Sequence, residues 1–79
     1  MRKGRTAVKG TVQVEKDSEG NPVGVSILTD QGGIVDVALD ATGQKLAEEM
    51  AGQKVRALGT FRYTDPERLE FQANRFRGL

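Results

Sequence analysis

The sequence predicts an all-β fold in which five strands close into a small barrel, with one short helix between the third and fourth strands. Apolar and polar residues alternate in five segments, at 6–15, 23–29, 34–39, 53–63 and 69–77. A period of two is typical of half-buried strands. Between the third and fourth segments the period changes to that of a helix. A chain of 79 residues folded as an open sheet would expose both edges and one apolar face, whereas a closed barrel removes the edges.

The first three strands are expected to form a meander, because only short turn segments separate them. Segments 16–22 and 29–33 are rich in Gly, Asp, Asn and Pro, which are the usual turn residues. Gly32 and Gly33 suit a hairpin turn. Gly10 in the first strand and Gly59 in the fourth make the sharp coiling of a barrel feasible.

Residues 40–51 are predicted to form the helix, whose apolar face consists of Leu46, Ala47, Met50 and Ala51. Asp40 or Thr42 can cap its start. Gly52 occupies the position where a residue of positive φ commonly ends a helix. A helix this short cannot bury its apolar face alone, so we expect it to pack against the sheet.

In the last strand, Phe76 is out of phase with Leu69, Phe71 and Ala73, which predicts a bulge or a strand end near Asn74. The shared phase of the apolar positions predicts a core of Val8, Val12, Val14, Val25, Ile27, Val35, Val37, Leu39, Leu46, Met50, Val55, Phe61 and Phe71.

One domain is expected at residues 6–77, with a flexible basic tail at 1–5 and a frayed end at 78–79. Arg2, Lys3 and Arg5 resemble the basic start of a signal peptide, but no apolar segment follows them. No run approaches the roughly 18 apolar residues of a membrane span. We therefore expect a soluble chain. The compartment stays open between the cytoplasm and, after removal of a leader, the periplasm or the exterior.

The strand order, with its helix between strands three and four, resembles the OB-fold, a five-stranded Greek-key barrel. The resemblance rests on segments 9–12 (KGTV), 35–40 (VDVALD) and 52–61 (GQKVRALGTF). In detail the chain is similar to small bacterial OB domains of undefined function, many of them exported. The resemblance implies the fold and says little of the ligand, because one fold hosts many functions. An SH3-like barrel, the alternative, does not readily accommodate a helix of about three turns.

The composition argues against most enzymatic chemistry and predicts no catalytic residue. The chain has neither cysteine nor histidine, which removes the Ser/His and Cys/His dyads and the usual zinc sites. Residues 17–21 carry oxygen ligands but lack the closing glutamate of a calcium loop, so they are interpreted as a turn. No glycine-rich phosphate loop is present. We expect no metal and no cofactor.

Nucleic acid is disfavoured as a ligand by the distribution of charge and aromatic residues. In the OB-fold the usual surface crosses strands two and three, flanked by the loops between strands one and two and strands four and five. Residues 11–40 hold six acidic residues, one basic residue and no aromatic, whereas 53–79 hold six basic residues, three acidic ones and all four aromatics. Tyr63 is the one plausible platform for base stacking, with Arg62 and Arg68 beside the same loop.

The sequence therefore favours a non-catalytic binding or interaction module whose partner is an unidentified protein or a small polar ligand. The alternative is a single-stranded nucleic-acid binder acting through the loop between strands four and five. Arg62, Tyr63 and Arg68 are the candidate ligand-binding residues.

Overall fold

Five strands and one helix follow one another in the predicted order. The computed structural model describes residues 5–65 and 67–79. Its elements are β1 (Thr6–Lys16), β2 (Pro22–Thr29), β3 (Ile34–Val37), α1 (Ala41–Met50), β4 (Lys54–Asp65) and β5 (Arg68–Gly78). The predicted tail at 1–5 lies outside the described residues except for Arg5, as does Pro66 of the predicted turn between β4 and β5.

The strands close into a barrel in the order β1-β2-β3-β5-β4. β1 pairs with β2 and β4, and every pairing is antiparallel except that of β3 with β5. β3 and β5 are paired at one position only, Val37 with Phe71. Beside it the Ala38 N–H donates to the Phe71 carbonyl at 2.8 Å. The predicted closed barrel is confirmed, and its strand order is compatible with an OB-like fold.

The core lies where the sequence predicts it, with one clear exception. The largest fully buried side chains are those of Val12, Ile27, Leu46, Val55 and Phe71. Val14, Val35, Leu39 and Met50 are only partly buried and pack against this core.

The prediction that Phe61 is a core residue is wrong. Its side chain is 38 % exposed and lies against Phe71, with the two ring centroids 5.0 Å apart. The phase was predicted correctly, because Phe61 and Phe71 are cross-strand partners. The β4–β5 hairpin, however, extends beyond the first residue of β1, which pairs with Gly59. Leu69, which shares the phase of Phe71, is 45 % exposed for the same reason.

The predicted bulge in β5 is confirmed. Leu58 pairs with Arg75 and Gly59 pairs with Ala73, so that Asn74 has no partner in β4. The extra residue shifts the phase and turns the half-buried Phe76 toward the core.

The helix is capped as the sequence predicts. Asp40 is the N-cap residue, and its side chain accepts a hydrogen bond from the Gly43 N–H at 2.9 Å. Leu46 and Ala47 are buried against the sheet, whereas Ala51, predicted on the same face, is exposed. Within residues 5–65 and 67–79, no helix is long and apolar enough to cross a membrane.

Gly52 ends the helix with a positive φ of 76°, as predicted. Its N–H donates to the Val12 carbonyl at 2.8 Å. A β-carbon at this position would meet no atom within 4 Å, so a substitution is opposed by the backbone conformation alone.

We expect Gly52→Val to destabilise the fold by about 1–2 kcal/mol, the usual cost of the left-handed conformation for an L-residue. Gly52→Asn should cost less, because asparagine tolerates this conformation. Urea denaturation of the two variants measures the difference. Equal losses for valine and asparagine would contradict a backbone origin.

Candidate ligand-binding groove

A groove of about 390 Å³ crosses the outer surface of β1, β2 and β3 and reaches the start of β5. Its position follows from the barrel order, because β5 is paired with β3 only at Phe71 and the preceding residues of β5 border the gap. Gln13, Ser26 and Asp36 are direct partners across β1, β2 and β3. They form one row along the groove.

The groove is rich in carboxylates. Glu15, Asp36 and Glu70 line it together with a single cation, Arg68. Within the described part of the chain the one ion pair joins Lys54 to Asp30, so none of these carboxylates forms an ion pair there. The cation directly opposite one of them is Arg62, the cross-strand partner of Glu70. We call this surface the carboxylate groove.

A glycine leaves room for one of these carboxylates. Glu15 is the cross-strand partner of Gly24. A β-carbon on Gly24 would lie 3.3 Å from Glu15 Oε1. The Glu15 side chain therefore lies over the face of Gly24 that carries no side chain. A larger residue at Gly24 would compete with Glu15 for this space.

Of the three residues that the sequence singled out, the structure separates Tyr63 from Arg62 and Arg68. Arg62 is the cross-strand partner of Glu70, whereas Tyr63 is the partner of Leu69. Because side chains alternate along a strand, Tyr63 and Arg62 point to opposite faces of the hairpin. Arg68 lines the carboxylate groove. Tyr63 is 70 % exposed and continues the face of Phe61, away from Arg62.

Sequence reasoning missed Glu70 as a residue of this groove. In the sequence it belongs to the half of the chain in which basic residues outnumber acidic ones. Because side chains alternate along a strand, the inward phase of Phe71 places Glu70 on the outer face. The pairing of β5 with β3, which brings it near Asp36, joins segments far apart in the chain and leaves no local signal.

The turn between β1 and β2 is ordered by its own carboxylate. Asp17 Oδ1 accepts hydrogen bonds from the Asn21 and Glu19 N–H groups, both at 2.9 Å. The Asn21 bond above all, and the Glu19 bond to a lesser degree, hold the pKa of Asp17 below its ordinary value. These bonds favour the folded chain at neutral pH, and their contribution is lost as the pH falls through the lowered pKa.

Residues 17–21 were interpreted as a turn, and the Asp17 carboxylate accepts its hydrogen bonds from backbone groups of that turn. Among residues 5–65 and 67–79, no group of three or more acidic side chains is placed to hold a metal ion.

Comparison of the chain with protein-family models, with curated proteins and with solved structures found no match.

Proposed function

We propose that this chain is a non-catalytic binding module, a bacterial OB-type domain whose carboxylate groove binds a positively charged ligand. The ligand is a lysine- or arginine-bearing protein segment or a small cationic polar molecule. The observation that supports this proposal is the excess of carboxylates in one groove: Glu15, Asp36 and Glu70 line it with the single cation Arg68, and within the described chain none of the three forms an ion pair.

The polar groups of the groove suit binding better than chemistry. Ser26 lines it, but the chain has no histidine to activate a hydroxyl. A cationic ligand would gain charge-assisted hydrogen bonds from carboxylates that form no ion pair within the described chain. Valines line the groove beside these carboxylates, among them Val23, which is 57 % exposed. They offer apolar contact to the aliphatic part of a lysine or arginine side chain.

We expect a tetralysine peptide, added to the isotopically labelled chain at near-physiological salt, to shift the amides of Asp36 and Glu70 saturably. Removing one carboxylate by Asp36→Asn or Glu70→Gln should weaken binding by about 0.2–1 kcal/mol, as for a solvated ion pair. The double variant should lose about the sum.

Glu48→Gln is the matched control, because Glu48 is exposed on α1 and does not line the groove. A glycine-serine peptide of the same length controls for charge. Binding that Glu48→Gln weakens as much as Glu70→Gln does would contradict the proposal, and so would shifts spread evenly over the barrel.

A second candidate is supported by the exposure of Tyr63, which is the most exposed of the described aromatic side chains. On this hypothesis a single-stranded nucleic acid stacks one base on Tyr63 and places phosphates near Arg62 and Arg68. Tyr63→Ala should then remove about 1–3 kcal/mol of affinity, and Tyr63→Phe should retain it, because either ring can stack.

We expect a titration with a mixed single strand of about ten nucleotides, within the span of one OB domain, to give no saturable shifts at the hairpin. Tyr63 and Arg62 face opposite ways, and Glu70 lies opposite Arg62. Saturable, salt-sensitive shifts at residues 62, 63 and 68 would establish this second function instead.

A further inference from the structure

The outer surface of β1, β4 and β5 concentrates positive charge. Lys9 is the cross-strand partner of Arg56, and Arg56 is the partner of Arg77. Three cations therefore lie directly opposite one another across three neighbouring strands. Arg75 lies in the next row, opposite Leu58. We call this surface, formed by Lys9, Arg56, Arg75 and Arg77, the arginine face.

None of the four cations of the arginine face forms an ion pair within the described chain. The one ion pair in residues 5–65 and 67–79 uses Lys54, at the edge of the same surface, and Asp30. Like charges directly opposite one another in a sheet are unfavourable. An arrangement of this kind becomes favourable when an anion binds across it.

The dimensions of the arginine face indicate an extended anion. Neighbouring strands lie roughly 4.8 Å apart, so the row of three cations spans about 10 Å, which is longer than one phosphate group. A depression of about 350 Å³ lies between Arg56, Arg75 and Arg77, bordered by Leu58 and Phe76. Guanidinium groups suit phosphate oxygens because they can donate two parallel hydrogen bonds.

The arginine face has little with which to recognise a nucleobase. Its one aromatic neighbour, Phe76, is half-buried and packs against the core. Base stacking needs an exposed ring. The chemistry on this surface therefore selects the charge and geometry of a phosphate chain.

We propose that the arginine face binds linear inorganic polyphosphate, with Arg56 and Arg77 donating to successive phosphate groups and Lys9 and Arg75 flanking them. This surface is distinct from the carboxylate groove, which is lined by none of these four cations and lies at the other end of β1, over β2 and β3 and at the start of β5.

The test is a titration of the full, isotopically labelled chain with sodium polyphosphate of defined chain length at about 0.15 M salt. We expect saturable shifts at the amides of residues 9, 56, 75 and 77. Arg56→Gln combined with Arg77→Gln should weaken binding at least roughly tenfold, because charge-assisted hydrogen bonds are lost at two positions. Lys16→Gln, which removes a cation at the far end of β1, should change the affinity less than about twofold.

The double variant is expected to fold, since it removes repulsion between direct partners, and a melting temperature no lower than that of the parent checks this. If it does not fold, Arg75→Gln replaces it, because the partner of Arg75 is uncharged, and a loss of several-fold is then expected.

Two further ligands decide the chemistry. A polyglutamate peptide of equal charge should bind more weakly than polyphosphate, and so should single-stranded DNA of equal charge. Polyglutamate binding as tightly would assign the face to acidic proteins, and tighter binding of DNA would assign it to base recognition. Either outcome overturns the proposal, as does a loss with Lys16→Gln equal to that of the double variant.

Discussion

Phe71→Ala is expected to cost about 3–5 kcal/mol of unfolding free energy, close to the whole stability of a small domain. The Phe71 side chain is fully buried, so its removal loses the transfer free energy of the ring and leaves a cavity. It also lies at the single paired position between β3 and β5. The substitution therefore weakens the contact between β3 and β5 that closes the barrel. Urea denaturation should show the loss, and the melting temperature should fall by well over 10 °C.

Phe61→Ala is the matched control, because it removes the same ring from the cross-strand partner of Phe71, whose side chain is 38 % exposed. It should cost clearly less than Phe71→Ala. If Phe71→Ala does not fold at all, Phe71→Leu retains part of the volume and still measures the trend. A Phe71→Ala variant that melts within a few degrees of the parent would refute this account of the core.

Gly59→Ala is expected to be the most damaging single-methyl addition in β4, at about 3 kcal/mol, toward the upper end for overpacking. A β-carbon on Gly59 would clash with the Gln72 carbonyl oxygen and would lie 2.9 Å from Ala73 Cα. Both atoms belong to the backbone of β5 beside the bulge, so relief requires the paired strand to move. Chemical denaturation measures the loss.

Gly33→Ala provides the comparison for Gly59→Ala. Gly33 lies in the exposed turn between β2 and β3, and its nearest neighbour, Thr29 Oγ1, would be 3.5 Å from the new methyl group. We expect a change within about 0.5 kcal/mol. A similar cost at both positions would mean that the close approach of β4 and β5 is not what requires glycine at residue 59.

Alternation along each strand was sufficient to predict the elements and even the bulge at Asn74, because a phase change in one strand is a local signal. The exposure of Phe61 could not be predicted in this way. Alternation gives the face of a side chain, but burial also depends on whether neighbouring strands extend far enough to cover it. β1 begins at the partner of Gly59, so this strand does not cover the hairpin beyond it.

The charged surfaces were predictable only in outline. Counting charges along the chain indicated an excess of acidic residues in 11–40 and of basic residues in 53–79. It did not bring Glu70 into the carboxylate groove or align Lys9 with Arg56 and Arg77. These neighbours follow from the register of strands that are distant in sequence. A shift of one residue would have pointed each of these side chains to the opposite face.

The single paired position between β3 and β5 has a consequence for how the barrel forms. The pairings β1–β2, β2–β3 and β4–β5 join strands that are neighbours in the chain. Two pairings are long-range: β1–β4, which is held by six residue pairs, and β3–β5, where only Val37 and Phe71 meet, across a loop that carries both the helix and β4. The entropic cost of closing the loop between β3 and β5 is offset only by the Val37–Phe71 pair, the Ala38 hydrogen bond and the burial of the Phe71 ring. Folding should therefore pass through an open, curled sheet that closes last, and thermal opening should begin by separating β3 from β5.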